Sequence, residues 1–199
     1  MPKSHKVVII PGLGDRGKMT FWITRHWQRH GLKPFIFLMD WYKPQDLQAK
    51  LTGLTRLIDD CAKDGDKISL VGCSAGASAA LNAFCERKNI VHKVVSVCGR
   101  LRAGNQNGFR SFESRSRSSA AFTESVKLFE SRESAISKQD KKRIMAISAL
   151  FGDELVPADT SFIHGANNIT IPTIEHSLSI LMALTIFSKT IIEFLAAGI

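Results

Sequence analysis

Short apolar runs alternate with longer segments of helical periodicity along almost the whole chain. Strands separated by helices form right-handed βαβ units around a parallel sheet. Most of the apolar runs are continuous, as in strands that are buried on both faces. We therefore predict an α/β fold with about six mostly parallel strands and helices on both faces, a three-layer αβα arrangement. The predicted strands are 7–10, 35–39, 68–71, 94–98, 144–150 and 169–171, and the predicted helices are 18–30, 46–62, 75–87 and a C-terminal one from 177.

The length of 199 residues suits one domain over 1–199. The alternation breaks between the fourth and fifth predicted strands, where the chain is rich in Ser, Arg, Gly and Asn and residues 121–136 have only a weak helical pattern. We expect an irregular, lid-like insertion at about 99–142. A solvated connection between the two strands is the alternative.

The segment from Gly72 to Gly76 reads G-C-S-A-G, which contains the pattern G-x-S-x-G. A buried strand precedes it and a helix of small residues follows it, which is the setting of a nucleophile elbow. In such an elbow a strained turn exposes the serine hydroxyl at the sheet edge, and the flanking glycines remove side chains that would collide there. Ser74 is therefore a candidate nucleophile. A tight strand-to-helix turn without chemistry fits the same pattern.

A serine hydroxyl needs a base, and the base needs an orienting acid. Among the six histidines, His176 lies between the last predicted strand and the last helix, so we expect it at the same sheet edge as Ser74. The other five are less suitable: His5 and His92 lie near the opposite edge, His26 and His30 are expected to face solvent from the first helix, and His164 follows the candidate acid too closely.

Asp153 follows the fifth predicted strand, which puts it at the same edge, and it is the preferred acid. Asp159 is the runner-up because the same loop could present either residue, and Glu154 and Glu175 are further candidates. A plain turn residue is the alternative role for Asp153. The chain order Ser, Asp, His is known for serine nucleophiles on strand-turn-helix elbows.

Two backbone amides are expected to stabilise the oxyanion of an acyl-transfer reaction. Ala75 follows the candidate nucleophile, and Leu13 lies in the glycine-rich segment 11–14 after the first strand. Dinucleotide binding at that segment is a weak alternative, with Asp40 as the acid after the second strand, but the glycine spacing does not match. The G-K-[ST] tail of a phosphate-binding P-loop is also absent, so we predict no cofactor. The four cysteines form no CxxC pair and no metal-ligand cluster, so we predict no metal.

These motifs resemble those of the α/β-hydrolase superfamily in a minimal form, over nearly the whole chain from Val7. The resemblance rests on segments 11–14 and 72–76, on Asp153 with Val156 and Pro157, and on His176. It implies a serine hydrolase, similar to carboxylesterases, lipases or thioesterases, that cleaves a small-molecule acyl ester or thioester through an acyl-enzyme on Ser74. Trp41, Cys98 and Val156 are possible pocket residues.

Basic residues outnumber acidic ones by 27 to 18, giving a formal net charge of +9. A surplus of this sign favours anionic partners but says nothing about the fold. No stacking-aromatic motif interleaves the basic segments, so we expect solvated faces and no nucleic-acid partner. The segments contain Arg100, Arg102, Arg110, Arg115 and Arg117, and then Lys138, Lys141, Lys142 and Arg143.

The N-terminal residues lack the apolar core of a signal peptide, so we expect a cytoplasmic protein with reduced thiols. The longest uncharged apolar stretch, 178–188, is too short to span a membrane and predicts a buried helix. Two further functions stay open: a non-catalytic binding or scaffold protein on the same fold, and a basic surface protein for anionic partners. The sequence does not indicate the acyl group, the alcohol or the oligomeric state.

Overall fold

The computed structural model describes residues 4–14, 17–44, 46–108 and 111–198. The strands are β1 (His5–Ile10), β2 (Leu32–Ile36), β3 (Lys67–Cys73), β4 (Val91–Val97), β5 (Ile144–Ala149) and β6 (Asn167–Ile171). The helices are α1 (Lys18–Thr24), α2 (Leu47–Lys63), α3 (Ala75–Glu86), α4 (Phe112–Ser116), α5 (Ala120–Arg132), α6 (Lys138–Lys141), α7 (Ala158–Ser161), α8 (His176–Leu184) and α9 (Ser188–Ala196). Short 3₁₀ segments follow α1 at Arg25–His30 and α5 at Glu133–Ala135.

The six strands form one parallel sheet, which confirms the predicted number and direction of the strands, and their order is β2-β1-β3-β4-β5-β6. All strands therefore end at the same edge, here called the carboxyl edge. The chain leaves β1 toward β2 on one side and later adds β3 on the other side. Open parallel sheets bind their ligands in the crevice at such a reversal, outside the carboxyl ends of the strands.

Successive strand residues point to opposite faces of the sheet, and each face is covered by helices. On one face Val8 and Ile10 of β1 join a buried cluster with residues of α2, α3 and α5. On the other face Val7 and Ile9 join a second cluster with residues of α1, α8 and α9. The predicted three-layer arrangement is confirmed, and burial on both faces explains why the strand sequences are continuously apolar.

The prediction of the second strand at 35–39 is wrong, because β2 spans Leu32–Ile36. Among the described residues this edge strand pairs with β1 alone, and its burial alternates: Leu32 is buried, Lys33 is exposed, Pro34 is buried and Phe35 is exposed. Pro34 is tolerated because an edge strand leaves one row of backbone groups unpaired. A search for continuous apolar runs therefore selects a segment that begins within the last two residues of β2 and continues past its end.

Two helices differ from the predicted single segments. The first ends as an α-helix at Thr24 and continues as a 3₁₀ segment, where His26 Nδ1 lies 2.8 Å from the carbonyl oxygen of Ile23. The C-terminal segment forms two helices, α8 and α9, bent by 53°. At this bend the hydroxyl of Thr185 donates to the carbonyl of Leu181, and that of Ser188 donates to the carbonyl of Thr185.

The segment 99–142 contains α4, α5 and α6 and connects β4 to β5. Helix α5 is more deeply buried than its weak sequence pattern predicts, with Phe122, Val126 and Phe129 in the core cluster beside α2 and α3. Arg102 forms an ion pair with Glu133 inside this segment. The irregular part precedes α4, and a lid role for it stays a prediction; Arg110 lies outside the described residues.

None of the helices in the described ranges has by itself both the length and the apolar character needed to cross a membrane. The bent pair α8 and α9 meets the same criteria of length and composition when the two helices are counted together.

Candidate active site

The turn from β3 into α3 holds Ser74 in a strained backbone conformation, with φ at 53° and ψ at −121°. Such a conformation costs free energy and tends to occur at functional sites. The flanking glycines are required by close packing, because a Cβ on Gly76 would overlap the carbonyl oxygen of Ile10 and a Cβ on Gly72 would overlap Ala77. The predicted strand-turn-helix context of Ser74 is therefore present in the structure.

The loop after β1 passes directly beside the Ser74 hydroxyl. A Cβ on Gly12 would lie 2.9 Å from the Cβ of Ser74 and 3.3 Å from its Oγ. Leu13 follows Gly12 in this loop, and Ala75 is the first residue of α3. The N–H of a first helical residue has no acceptor inside its own helix, and the helix N-terminus carries partial positive charge. The two segments that carry the predicted oxyanion amides thus meet at Ser74.

Three side chains from distant parts of the chain form one line of hydrogen bonds. Ser74 Oγ lies 2.8 Å from His176 Nε2. His176 Nδ1 lies 2.7 Å from Asp153 Oδ2, and the side chains of both partners are 6% exposed. The structure therefore brings together the serine, the histidine and the acid that the sequence analysis selects.

The Asp153 carboxylate is fixed by its own loop. Its Oδ1 accepts hydrogen bonds from the backbone N–H groups of Leu155 and Val156, both at 2.8 Å. These two donors satisfy one oxygen and leave the other directed at the imidazole. Hydrogen bonds from N–H groups to a carboxylate are among the stronger kinds in proteins, so these two bonds orient the Asp153 side chain.

The other acids that the sequence allows lie elsewhere. Asp159 accepts hydrogen bonds from Gln106 at 3.2 Å on both carboxylate oxygens. Glu154 and Glu175 contact backbone N–H groups near the start of α8. Among the described residues, Asp153 is the acid whose carboxylate is hydrogen-bonded to the His176 ring.

Sequence analysis missed that two glutamates hold the first turn of α8, which carries the imidazole. Glu154 accepts from the backbone N–H of His176 at 3.1 Å. Glu175, with φ at 69°, accepts from the N–H groups of Ser177 and Leu178 at 3.0 and 2.6 Å. These backbone hydrogen bonds lower the pKa of Glu175. A glutamate directly before a helix signals a cap, but nothing in the sequence connects Glu154 to α8.

A cleft of about 480 Å³ opens beside the β1 loop and is bounded on its other side by the segment after β2. Its lining is mainly apolar and includes Leu13, Leu38, Met39 and the predicted pocket residue Trp41. Trp41 is buried, and its Nε1 donates to the carbonyl oxygen of Pro11 at 3.3 Å. The indole thus fixes the loop that precedes Leu13 as well as contributing to the wall of the cleft.

A second, smaller cleft of about 220 Å³ lies next to the loop that contains Asp153. The other two predicted pocket residues, Cys98 and Val156, line it together with Asp153 and Gln106. Cys98 has φ at 49° and is buried, and this burial raises the pKa of its thiol far above the ordinary value. A thiol in this state is a weak nucleophile and serves as a small apolar wall.

The remaining histidines lie away from Ser74. His5 contacts Ser69, and His92 Nε2 lies 3.0 Å from the carbonyl oxygen of Ala197. The prediction that His26 faces solvent is wrong, because it is half-buried and its Nε2 lies 3.1 Å from the hydroxyl of Ser188. His30 and His164 are exposed.

Within residues 4–14, 17–44, 46–108 and 111–198, no group of three or more His, Cys, Asp or Glu side chains could hold a metal ion. The four cysteines are free, and three of them are buried. The groups that the described residues offer for chemistry at the carboxyl edge are the carboxylate of Asp153, the imidazole of His176 and the hydroxyl of Ser74.

No family model matches the chain, and no curated protein matches it by sequence. Solved structures match it over nearly its full length. A monoacylglycerol lipase from Paleococcus ferrophilus has a TM-score of 0.66 and 12% identity and covers 96% of this chain and 93% of its own. The ydeN gene product from B. subtilis has a TM-score of 0.67 and 14% identity, with 98% and 100% covered. A dienelactone hydrolase from Anabaena variabilis has a TM-score of 0.64 and 18% identity, with 97% and 86% covered.

These likenesses show the fold. Structures of similar overall fold cover almost the whole chain, at identities of 18% or less in the three examples. The chain therefore has the α/β-hydrolase fold, and the resemblance drawn from the sequence motifs is confirmed at that level.

Proposed function

We propose that this protein is a serine hydrolase that cleaves a carboxylic ester or thioester through an acyl-enzyme on Ser74. The observation that carries the proposal is the line from Asp153 Oδ2 to His176 Nδ1 at 2.7 Å and from His176 Nε2 to Ser74 Oγ at 2.8 Å. It ends on a strained serine at the start of a helix. A nucleophile, a base and an orienting acid in this order are the parts that acyl transfer requires.

In the first half of the reaction, His176 Nε2 accepts the Ser74 proton as Oγ attacks the carbonyl carbon of the substrate. The carbonyl oxygen gains negative charge, which the N–H groups of Leu13 and Ala75 stabilise. When the tetrahedral intermediate collapses, the bond to the leaving oxygen or sulfur breaks. His176 then gives its proton to that atom, and an alcohol or thiol leaves.

In the second half, a water molecule attacks the acyl-enzyme while His176 accepts one of its protons. The bond between Ser74 Oγ and the acyl carbon breaks, the proton returns to Oγ, and a carboxylic acid is released. Asp153 stays ionised throughout. It holds Nδ1 in the protonated tautomer and stabilises the imidazolium that forms in both halves.

The apolar cleft of about 480 Å³ beside Leu13 supports a substrate with an apolar group on one side of the scissile bond. Its size lies within the range of about 300–1,000 Å³ typical of small-molecule sites. The lipase and dienelactone hydrolase with the same fold support an ester as the substrate class. We place the protein in the cytoplasm as part of this proposal, since four free cysteines suit a reducing compartment.

The test is labelling by a fluorophosphonate probe, which reacts with activated serines. We expect the wild type to be labelled and Ser74→Ala not to be labelled. Ser69→Ala is the matched control, because Ser69 also lies 2.8 Å from a histidine Nε2. Circular dichroism establishes that each variant is folded.

If the folded wild type is not labelled, a non-catalytic binding protein on this fold is favoured. If Ser74→Ala is still labelled, the nucleophile is a residue other than Ser74. A series of p-nitrophenyl esters of increasing acyl length then measures how kcat/KM depends on the chain that the apolar cleft accepts.

A further inference from the structure

Helices α1 and α8 both begin at the carboxyl edge and run side by side over the same face of the sheet. Their far ends are joined, because Trp27 Nε1 donates to the carbonyl oxygen of Leu184 at 3.3 Å. His26 Nε2 also lies 3.1 Å from the hydroxyl of Ser188 at the end of the α8–α9 turn. The two helices are therefore parallel neighbours, and their outward surfaces adjoin.

Large apolar side chains cover this outward surface, here called the α1–α8 face. On α1, Met19 and Trp22 are 64% and 63% exposed, and Ile186 in the turn after α8 is 69% exposed. Leu178 and Leu181 are exposed on α8 itself. Clusters of exposed large apolar side chains usually mark interaction surfaces, whereas single ones carry no such meaning.

The charges of the α1 side of this face are positive, whereas Glu154 and Glu175 lie at the first turn of α8. Residues 17–39 contain four lysines and arginines and no acidic residue. The described part of α8 and α9 carries one lysine, Lys189, and one glutamate, Glu193. The Arg25 guanidinium lies 5.3 Å from the centre of the Trp22 ring, and Arg25 and Arg29 line one surface hollow.

We propose that the α1–α8 face docks onto the surface of an anionic lipid bilayer. Its apolar side chains would enter the boundary between headgroups and acyl chains, as those of interfacial helices do. Arg25 and Arg29 would contact lipid phosphates, and Trp22 suits the interface because its ring combines an apolar body with a polar N–H. A lipid surface offers negative charge and apolar depth together, which is the combination that this face complements.

Docking in this way would also position the candidate active site. His176 is the first residue of α8, and α1 follows the loop that contains Leu13. Phe151 and Ile174 are also exposed and lie close to the start of α8, since the N–H of Phe151 donates to the carbonyl oxygen of Thr173 at 3.2 Å. The binding itself does not depend on catalysis, so it stands or falls separately from the proposed hydrolase activity.

The experiment is co-sedimentation of the full chain with vesicles of phosphatidylcholine alone and of phosphatidylcholine with phosphatidylserine. We expect binding to the anionic vesicles only, weakened by salt, and equal binding by Ser74→Ala. Two double variants change the α1–α8 face. Trp22→Ser with Leu181→Ser removes apolar side chains, and Arg25→Ser with Arg29→Ser removes positive charges. Each should weaken partitioning by at least about tenfold.

Matched controls change exposed residues outside the face. Ile90→Ser removes an exposed apolar side chain before β4, and Lys138→Ser with Lys142→Ser removes the same charge as the arginine pair. Both should bind as the wild type does. The proposal is overturned if the wild type does not bind anionic vesicles, or if the control variants lose as much binding as the two double variants of the α1–α8 face. It is also overturned if sedimentation shows a dimer that the Trp22 and Leu181 pair dissociates, since a second copy would then cover the face.

Discussion

Strand β3 and the turn after it contain two serines that contact histidines, one near each edge of the sheet, and the distance from Oγ to Nε2 is the same in both pairs. Near the carboxyl edge Ser74 Oγ lies 2.8 Å from Nε2 of His176, and near the amino edge Ser69 Oγ lies 2.8 Å from Nε2 of His5. Ser69 is a fully buried strand residue paired with Val7 of β1. Ser74, by contrast, is partly accessible and has a strained backbone at the start of α3.

The surroundings of the two imidazoles are opposite in charge. The second nitrogen of His176 contacts the Asp153 carboxylate. His5 instead packs against the ring of His92 at 5.8 Å between centroids and lies near Lys67 and Lys93. Burial first, and these positive neighbours second, lower the pKa of His5 to about 4. Accepting a proton is therefore disfavoured at His5, so hydrogen-bond distance alone does not make a serine a nucleophile.

The largest expected effect separates the two histidines. His176→Asn removes the base of the proposed reaction and should reduce kcat on a p-nitrophenyl ester by about 10⁴-fold or more. His5→Asn leaves the carboxyl edge intact and should change kcat by less than about twofold, a bound that we set from the general independence of distant sites. Steady-state kinetics on both variants, with folding checked by circular dichroism, measure the contrast. Equal losses in the two variants would mean that the carboxyl-edge pair has no special role.

A comparable loss is expected at the acid. Asp153→Asn keeps the size of the side chain but removes the charge that stabilises the imidazolium, so kcat should fall by about 10³–10⁴-fold. Asp159→Asn is the matched control, because Asp159 lies in α7, on the same connection between β5 and β6, and accepts hydrogen bonds from Gln106 instead of from the imidazole. A greater loss in Asp159→Asn than in Asp153→Asn would assign the acid to the runner-up.

The sequence predicts those parts of the molecule that depend on local pattern. Gly72, Ser74 and Gly76 are recognisable because the close packing of one turn imposes their residue types. His176 and Asp153 can be selected because the end of each parallel strand fixes the edge at which the next residues lie. Which of several acids reaches the imidazole is decided by loop geometry, and the sequence leaves that choice open.

Features that depend on contacts between residues far apart in the sequence cannot be predicted from local sequence patterns. The predicted position of β2 is displaced because an edge strand buries alternate residues, so its sequence lacks a continuous apolar run. The bend between α8 and α9 arises from hydroxyl groups bonding back to helix carbonyls, for which the apolar sequence gives no signal. The contact of Glu154 with α8 joins two loops 22 residues apart and has no local signature.

A smaller effect is expected when the position of His176 is disturbed without removing the line of hydrogen bonds. Glu154→Gln weakens the acceptor for the His176 N–H and should lower kcat by about tenfold to a hundredfold with little change in KM, since small misplacements of a base are costly. Glu154→Asp, which keeps the charge, should recover part of the rate. Kinetics over a range of pH would also show a displaced profile if the glutamate positions the imidazole.

Glu124→Gln is the matched control for this effect. Glu124 accepts from the N–H of Leu47 at 3.4 Å, and Leu47 is the first residue of α2, just as His176 is the first residue of α8. The control should lose some stability and retain kcat. If both variants lose stability and neither loses kcat, Glu154 acts only as a helix cap.

The smallest expected effect concerns the amino edge and appears as stability. Burial, with positive neighbours that include Lys67 and Lys93, lowers the pKa of both His5 and His92 from 6.5 to about 4. The unfolded chain therefore binds more protons than the folded chain between these values, and stability should fall as the pH drops from about 6.5 to about 4. For a chain of this length, each kcal/mol of lost stability lowers Tm by about 2–4 °C. Because both rings are partly accessible to solvent, we expect the total loss of stability to be small.

Thermal melts across that pH window measure the effect in the wild type and in His5→Asn with His92→Asn. The double variant lacks both of these imidazoles, so its Tm should depend less on pH than that of the wild type, while its kcat at neutral pH should remain unchanged. An unchanged pH dependence would place the acid sensitivity in other groups. A fall in kcat would instead couple the two edges of the sheet, and the two serine–histidine pairs could then no longer be treated as independent.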